Sequence, residues 1–95
     1  MTKLSDDDVR DGLRRLKGWE RADDAITKEF ELRSFNEAIA FVNCVAHAAE
    51  AANHHPDLDI RYRKVRATLS THDEGGITAK DLDLASQIEG CVPAA

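Results

Sequence analysis

The chain has 95 residues, of which 42% are hydrophobic, 33% are charged and only 5% are aromatic. This length suits a single domain over residues 1–95, with a core built largely from aliphatic side chains. The net charge of -5 argues against a general nucleic-acid binder or an anionic-membrane protein, which would need a basic stripe. The one basic cluster is interpreted as the solvent-facing side of a hairpin. Its members are Arg61, Arg63, Lys64 and Arg66.

Location and redox state are predicted from what the chain lacks. Its first residues contain no apolar segment of a secretory signal peptide. No run approaches the roughly 18 consecutive apolar residues of a membrane-spanning helix. Cys44 and Cys91 lie far apart, without the close spacing of zinc-binding pairs. We therefore predict a cytoplasmic protein in which both thiols are reduced and pack as small hydrophobic side chains.

The N-terminal segment predicts one helix followed by two strands. Ser5 is expected to cap a helix with acidic residues in its first turn and basic residues in its last, and Gly18 to end it. A short strand at Trp19–Arg21 and a second strand over Ile26–Leu32 follow. Lys28 interrupts the inner apolar row of the second strand.

The longest predicted helix lies in the middle of the chain. Ser34 and Glu37 form a capping box that opens it, and it should run from about Phe35 to Asn53 before Pro56 ends the helical region. Its apolar residues follow helical spacing and extend over more than half of the circumference. Such a helix is expected to cover two surfaces, the sheet and a partner subunit.

A hairpin and a last helix complete the predicted fold. Apolar and polar residues alternate on both sides of Arg63-Lys64, and a two-residue turn there would pair Tyr62 with Val65. Thr78 is expected to cap a helix that runs to about Gly90. The order α-β-β-α-β-β-α predicts an α+β fold, a four-stranded antiparallel sheet with three helices packed on one face.

Three of the four histidines fall in one stretch, at His54, His55 and His72. An imidazole pKa of about 6.5 makes histidine the natural proton donor or acceptor near neutral pH. Glu50 and His54 are four residues apart and so share a helix face. The two adjacent rings can converge where the helix breaks, and a sheet under the helix can bring His72 close to them. The alternative is that the pair only caps the helix and His72 is a loop residue; His47 is read as a partly exposed helix residue.

Three further interpretations stay open from the residues alone. Glu50, His54 and His72 can in principle supply a three-ligand zinc site, although paired helical histidines are missing; we expect no metal. Asp81 follows Thr78 at the third position, where a carboxylate caps a helix. Trp19 is either a core residue or the wall of a flat pocket.

The pattern of these residues resembles the pterin-4a-carbinolamine dehydratase family over nearly the whole chain. The matching positions are Glu50, His54-His55-Pro56, Tyr62, His72 and Asp81, with Leu69-Ser70-Thr71-His72, Gly76-Ile77-Thr78 and Gly18-Trp19 as shorter similar segments. The chain departs from the family at Leu58, where a tryptophan is common.

The resemblance implies an enzyme that eliminates water from 4a-hydroxytetrahydropterin to give quinonoid dihydropterin, the recycling step for tetrahydrobiopterin in aromatic amino-acid hydroxylation. It implies no cofactor, since the reaction has no net redox change. By this resemblance His54 and His72 form the acid/base pair, and His55 orients the pterin and can share in proton transfer. Glu50 would hold a histidine tautomer or bind the N–H edge of the pterin, and Asp81 would orient His72. The other residues expected to contact the substrate are Pro56, Thr71, Asp73 and Trp19.

The same family resemblance implies a second function class. Some members bind the dimerisation region of a homeodomain transcription factor, and distant relatives help to assemble carboxylating enzymes. The alternative is therefore a helix-mediated assembly partner without turnover. In either case the protein is expected to form a homodimer or homotetramer through the long helix, or to bind another protein through the same helix. No direct nucleic-acid or membrane partner is expected.

Overall fold

Alternating strands and capped helices fold in the predicted order in the computed structural model, which describes residues 2–94. The elements are α1 (Asp6–Leu13), β1 (Glu20–Ala22), β2 (Ala25–Glu31), α2 (Phe35–Ala52), β3 (Asp57–Arg61), β4 (Lys64–Leu69), a 3₁₀ turn (His72–Glu74) and α3 (Ala79–Glu89). The strands form one antiparallel sheet in the order β1-β2-β4-β3. The α+β prediction is confirmed.

The sheet has one apolar and one charged face. Ile26, Val65, Ala67 and Leu69 are fully buried and, with Phe30, form the floor of the core under the helices. The opposite face carries the exposed charged side chains of Glu29, Asp59, Arg61, Lys64 and Arg66. The last three belong to the basic cluster. Among the described residues, no helix is both long and apolar enough to cross a membrane.

The first helix is shorter than predicted. It ends at Leu13, and the chain continues through tight turns in which Leu16 donates its backbone N–H to Leu13 and Trp19 donates to Leu16. These turns bury the Leu16 side chain, so burial of an apolar residue overrides the helical pattern. Gly18 has the positive φ of 86° expected at a chain reversal, but it follows the turns and not the helix.

The hairpin register differs from the prediction by two residues. Arg61 pairs with Lys64 and Ile60 with Val65, so the turn consists of Tyr62 and Arg63. Tyr62 is 71% exposed with a positive φ of 55° and does not lie on the inner row. Arg63 lies opposite Leu32, where its carbonyl accepts the Leu32 backbone N–H at 2.8 Å and its guanidinium donates to the Leu32 carbonyl at 2.9 Å. The inner and outer faces are unchanged, since side chains alternate with a period of two.

Lys28 points into the core side of the sheet instead of breaking it. Its ammonium donates to the Glu89 carboxylate at 2.8 Å and to the carbonyl of Lys17 at 2.9 Å. It also lies 4.8 Å from the centre of the Phe30 ring. The ion pair and the contact with the aromatic ring together stabilise the Lys28 ammonium at a strand position where the alternating pattern predicts an apolar residue.

The prediction of two reduced thiols is wrong. Cys44 on α2 and Cys91 just beyond α3 form a disulfide, with their Cα atoms 5.7 Å apart and a sequence separation of 47. The bond forms because α2 and α3 pack side by side, an arrangement that sequence spacing does not reveal. Disulfides are rare in reducing compartments, so this bond removes one basis for the cytoplasmic location, which stays a prediction.

Candidate active site

The end of α2 brings two histidines to the edge of the domain. Asn53 closes the helix in the left-handed conformation, with φ 50° and ψ 43°, a region that asparagine tolerates better than most residues. The backbone N–H of His54 then donates to the carbonyl of Ala49 at 3.1 Å. This reversal turns the chain away from the helix axis before Pro56 and the start of β3.

His54 is anchored to a buried carboxylate. Its Nε2 lies 2.5 Å from Oδ1 of Asp81, and the two side chains are 11% and 0% exposed. Asp81 occupies the third position of α3 and completes a capping box with Thr78, as its position after Thr78 suggested. The expectation that Asp81 orients His72 is not met, because its histidine partner is His54.

Donor and acceptor roles around Asp81 follow from the contacts. Oδ2 accepts the backbone N–H of Thr78 at 2.9 Å and the hydroxyl of Thr71 at 2.8 Å. Two donors on Oδ2 favour the ionised form of Asp81, a carboxylate that only accepts. Nε2 of His54 then donates to Oδ1 of this carboxylate, and a neutral His54 ring keeps its lone pair on Nδ1.

His55 forms a second, more exposed pair. Its Nε2 contacts Oε2 of Glu50, and the two side chains are 58% and 76% exposed. The shared helix face was expected to join Glu50 to His54. The left-handed residue at Asn53 changes the direction of the chain, and the carboxylate instead meets the next histidine.

His72 reaches the same place from the sheet. It begins the 3₁₀ turn after β4, whose base is closed by a backbone bridge between Thr71 and Gly76. Gly75 allows this closure with a positive φ of 74°. The structure thus brings the three histidines together on one open groove of ≈ 350 Å³. Its walls are formed by Asn53, His54, His55, Ser70, Thr71, His72, Asp73 and Lys80.

Not every predicted site residue reaches this groove. Trp19 is 5% exposed in the core, where its indole N–H donates to Glu89 at 2.9 Å and its ring packs on Phe30. Pro56 is half-buried but is not one of the lining residues, and Glu50 is connected to the groove through His55. Thr71 and Asp73 line the groove, and Asp81 lies behind it.

Three lining residues were not predicted to belong to the site. Asn53 carried a signal as the last residue before the broken helix end, and Lys80 as the neighbour of Asp81. Ser70 precedes Thr71 and donates its hydroxyl to the carbonyl of Asp24 at 2.6 Å. Within residues 2–94, no three or more His, Cys, Asp or Glu side chains are grouped to hold a metal ion.

An α+β domain that presents three imidazoles on one groove, with a buried carboxylate behind one of them, has the features of a proton-transfer enzyme for a small ligand. The family model described as pterin 4 alpha carbinolamine dehydratase matches residues 2–91. The chain belongs to this family, as the sequence resemblance predicted, and it is an enzyme of the hydro-lyase class.

Individual relatives are similar in sequence to this chain over nearly their whole length. A protein of Roseiflexus sp. (strain RS-1), provisionally named a pterin-4-alpha-carbinolamine dehydratase, is 57% identical over 93% of this chain and 95% of its own. A protein of the same provisional name from Nocardia farcinica (strain IFM 10152) is 51% identical, covering 90% of each chain.

Solved structures share the fold. The transcriptional coactivator/pterin dehydratase from Brucella melitensis superposes with a TM-score of 0.93 at 33% identity, covering 97% of this chain and 100% of that one. A pterin dehydratase-like protein identified as a RuBisCO assembly factor in the alpha-carboxysome gives a TM-score of 0.65 at 18% identity, covering 81% and 89%. The second likeness concerns the fold alone.

Proposed function

We propose that the groove dehydrates a 4a-hydroxytetrahydropterin to quinonoid dihydropterin by histidine acid/base catalysis, in the recycling of tetrahydrobiopterin. The observation that carries this proposal is the meeting of His54, His55 and His72 on one groove, with His54 held by a buried carboxylate. Family membership supplies the substrate class. The reaction changes no oxidation state, so protein groups and water suffice for it.

The dehydration needs one proton donor and one proton acceptor. The bond from carbon 4a to its hydroxyl oxygen breaks while an acid protonates that oxygen, which leaves as water. A base removes the proton of the neighbouring ring nitrogen, and the electron pair forms the new carbon–nitrogen double bond. Positioned proton transfers of this kind contribute about 10²–10⁴-fold each.

The contacts favour His54 as the base. Its Nε2–H is engaged by Asp81, so the lone pair of Nδ1 is free to accept the proton. The carboxylate of Asp81 then stabilises the imidazolium that forms. His72, exposed on the other wall of the groove, is assigned as the acid and recovers its proton from water. The His55–Glu50 pair is assigned to binding and orienting the pterin, with Asp73 and Thr71 on the adjoining wall.

The test is the decay of freshly generated 4a-hydroxytetrahydropterin, followed by ultraviolet absorbance. The wild-type protein should accelerate the decay, with or without a chelator, and His54→Ala and His72→Ala should each reduce kcat by about 10²-fold or more. His47→Ala is the matched control, because His47 is an exposed histidine of α2 away from the groove. Folded wild-type protein that gives no acceleration over buffer would refute the proposal.

We also propose that the outward face of α2 mediates self-association, as a homodimer or homotetramer, or the binding of another protein. Phe35 at the start of α2 is 49% exposed, a large apolar side chain with half of its surface unused by the core. The Brucella melitensis relative carries both a coactivator and a dehydratase name. Light scattering should show an oligomer that Phe35→Glu dissociates. A wild-type protein that remains monomeric at all concentrations tested would contradict self-association.

A further inference from the structure

The loop that carries His72 is tied to the carboxylate that holds His54. Thr71, immediately before His72, is 8% exposed and donates its hydroxyl to Oδ2 of Asp81 at 2.8 Å. Oδ1 of the same carboxylate binds His54. One buried side chain therefore contacts both the end of α2 and the base of the loop after β4.

The direction of this hydrogen-bond chain is fixed by counting donors. The hydroxyls of Thr71 and Thr78 are 2.8 Å apart, and the single hydrogen of Thr71 is already committed to Asp81. Thr78 must therefore donate to Thr71. The Thr78 oxygen in turn accepts the backbone N–H of Lys80 at 3.3 Å. The chain runs from the first turn of α3 through two threonines to the carboxylate.

We propose that Thr71 and Thr78 are positioning residues, whose hydroxyl chain to Asp81 fixes His54 and His72 relative to each other across the groove. This inference rests on the proposed function and revises the expectation that Thr71 acts through contact with substrate. Its hydroxyl has no hydrogen left to donate to a pterin, because Asp81 takes it.

The position of this hydrogen-bond chain explains why it acts on the rings of both His54 and His72. Thr71 forms the backbone bridge with Gly76 that closes the His72 loop, with N–O distances of 2.9 and 3.3 Å. Thr78 is fully buried, as is Asp81, so water cannot replace a missing hydroxyl without a local opening. Loss of the Thr71 hydroxyl should therefore loosen the base of the loop and remove one of the two donors on Oδ2.

The test compares Thr71→Val, which removes only the hydroxyl from a side chain of similar shape, with Thr71→Ser, which keeps it. We expect Thr71→Val to lower kcat by about 10–100-fold, since small displacements of reacting groups have effects of this size. KM should change by less than about two-fold, because an interaction that positions catalytic groups is not a ground-state contact. Thr71→Ser should recover most of kcat.

Thr27→Val is the matched control. Thr27 also has a hydroxyl bonded to a second threonine, but its hydroxyl contacts neither Asp81 nor any residue that lines the groove. If Thr71→Val does not fold, Thr71→Ala takes its place. Unchanged kcat in the hydroxyl-free variant, a rise in KM alone, or an equal loss in Thr71→Ser would each overturn the proposal.

A second measurement does not depend on turnover. The ¹⁵N shifts of the His54 ring should show the Nε2–H tautomer in wild type and a mixture of tautomers in Thr71→Val. Amide exchange in the loop 72–75 should become faster in the same variant. If wild-type protein does not dehydrate the pterin, the proposed function fails, while these spectra still decide whether the hydroxyl chain positions the two rings. Identical spectra in the two proteins would refute the positioning role.

Discussion

Helix α3 is held against α2 in two different ways at its two ends. At one end, His54 just beyond α2 meets Asp81 in the first turn of α3 through a hydrogen bond in a network of buried polar groups. At the other end, Cys44 and Cys91 are joined by a covalent bond. The first contact joins two titratable side chains, and the second does not titrate. The comparison suggests that catalysis and stability depend on opposite ends of one helix pair and can be separated by substitution.

The largest expected effect is that of Asp81→Asn at the hydrogen-bonded end. Three donors point at Asp81, from His54, Thr71 and Thr78. A carboxamide of the same shape offers one oxygen and one donor group. Either its NH₂ faces the donors of Thr71 and Thr78, or it faces Nε2 of His54, which must then accept and move its hydrogen to Nδ1, the wrong tautomer for the proposed base. We expect kcat to fall by about 10²-fold or more, as for loss of a positioned proton transfer, and unfolding free energy to fall by about 1–3 kcal/mol.

The pterin assay and urea unfolding measure the two effects of Asp81→Asn. Asp83→Asn serves as the control, because Asp83 is an exposed residue of the same helix. An Asp81→Asn protein with wild-type kcat would show that the buried carboxylate has no part in the chemistry.

Breaking the covalent end should affect stability and spare catalysis. The disulfide closes a loop with a sequence separation of 47 residues, and crosslinks over such loops typically contribute about 2–4 kcal/mol to unfolding free energy. We expect Cys44→Ala/Cys91→Ala to lose about this much, with kcat changed by less than about two-fold at temperatures where it is folded. Urea unfolding with and without reductant provides the measurement.

Reductant should destabilise only the protein that has the disulfide. The double variant, which has none, is therefore the control for other effects of the reductant. A double variant that loses kcat in parallel with stability would mean that the two ends are not independent.

A third prediction concerns the polar cluster near the covalent end. Glu89 in the last turn of α3 accepts from both Lys28 and Trp19 through the same oxygen. Glu89→Gln leaves the half-buried ammonium of Lys28 without its carboxylate, and we expect a loss of about 1–3 kcal/mol in unfolding free energy. Trp19 is the only tryptophan, so its fluorescence reports on the site directly.

In the Glu89→Gln protein the emission of Trp19 should shift, while kcat should stay unchanged. Glu20→Gln is a suitable control, since Glu20 is exposed and adjacent to Trp19. Unaltered emission and stability in Glu89→Gln would show that the cluster does not contribute to holding α3.

What could be predicted from the sequence was mostly local. Ser34 and Thr78 cap the helices expected of them, and the inner and outer faces of the hairpin follow from strict alternation. Both signals depend on residues a few positions apart. The Tyr62 turn was missed because a positive φ is unfavourable for tyrosine. In the structure this turn places Arg63 opposite Leu32, to which it hydrogen-bonds.

The site was predicted in composition but not in pairing. Three histidines on one groove follow from a helix that breaks before Pro56 and a hairpin that returns beneath it. Which carboxylate meets which imidazole depends on how the first turn of α3 packs against the end of α2, and no sequence spacing encodes that distance. The disulfide was missed for the same reason, since it too is a contact between α2 and α3.

The smallest expected effect lies at the start of α2, remote from the groove. Arg33 donates from its guanidinium and its backbone N–H to Glu37, and these hydrogen bonds hold the pKa of that carboxyl below its usual value of 4.5. A carboxyl with a depressed folded-state pKa stabilises the protein above its unfolded pKa, and this contribution is lost as pH falls through the folded value. Glu37→Gln should therefore be less stable than wild type at neutral pH, and the difference should shrink below about pH 4.5. Urea midpoints measured over this range test the sign, and Arg33→Gln should show the same trend. Neither variant should change kcat. A stability difference that does not change with pH would mean that the side chain of Glu37 acts only as a neutral helix cap.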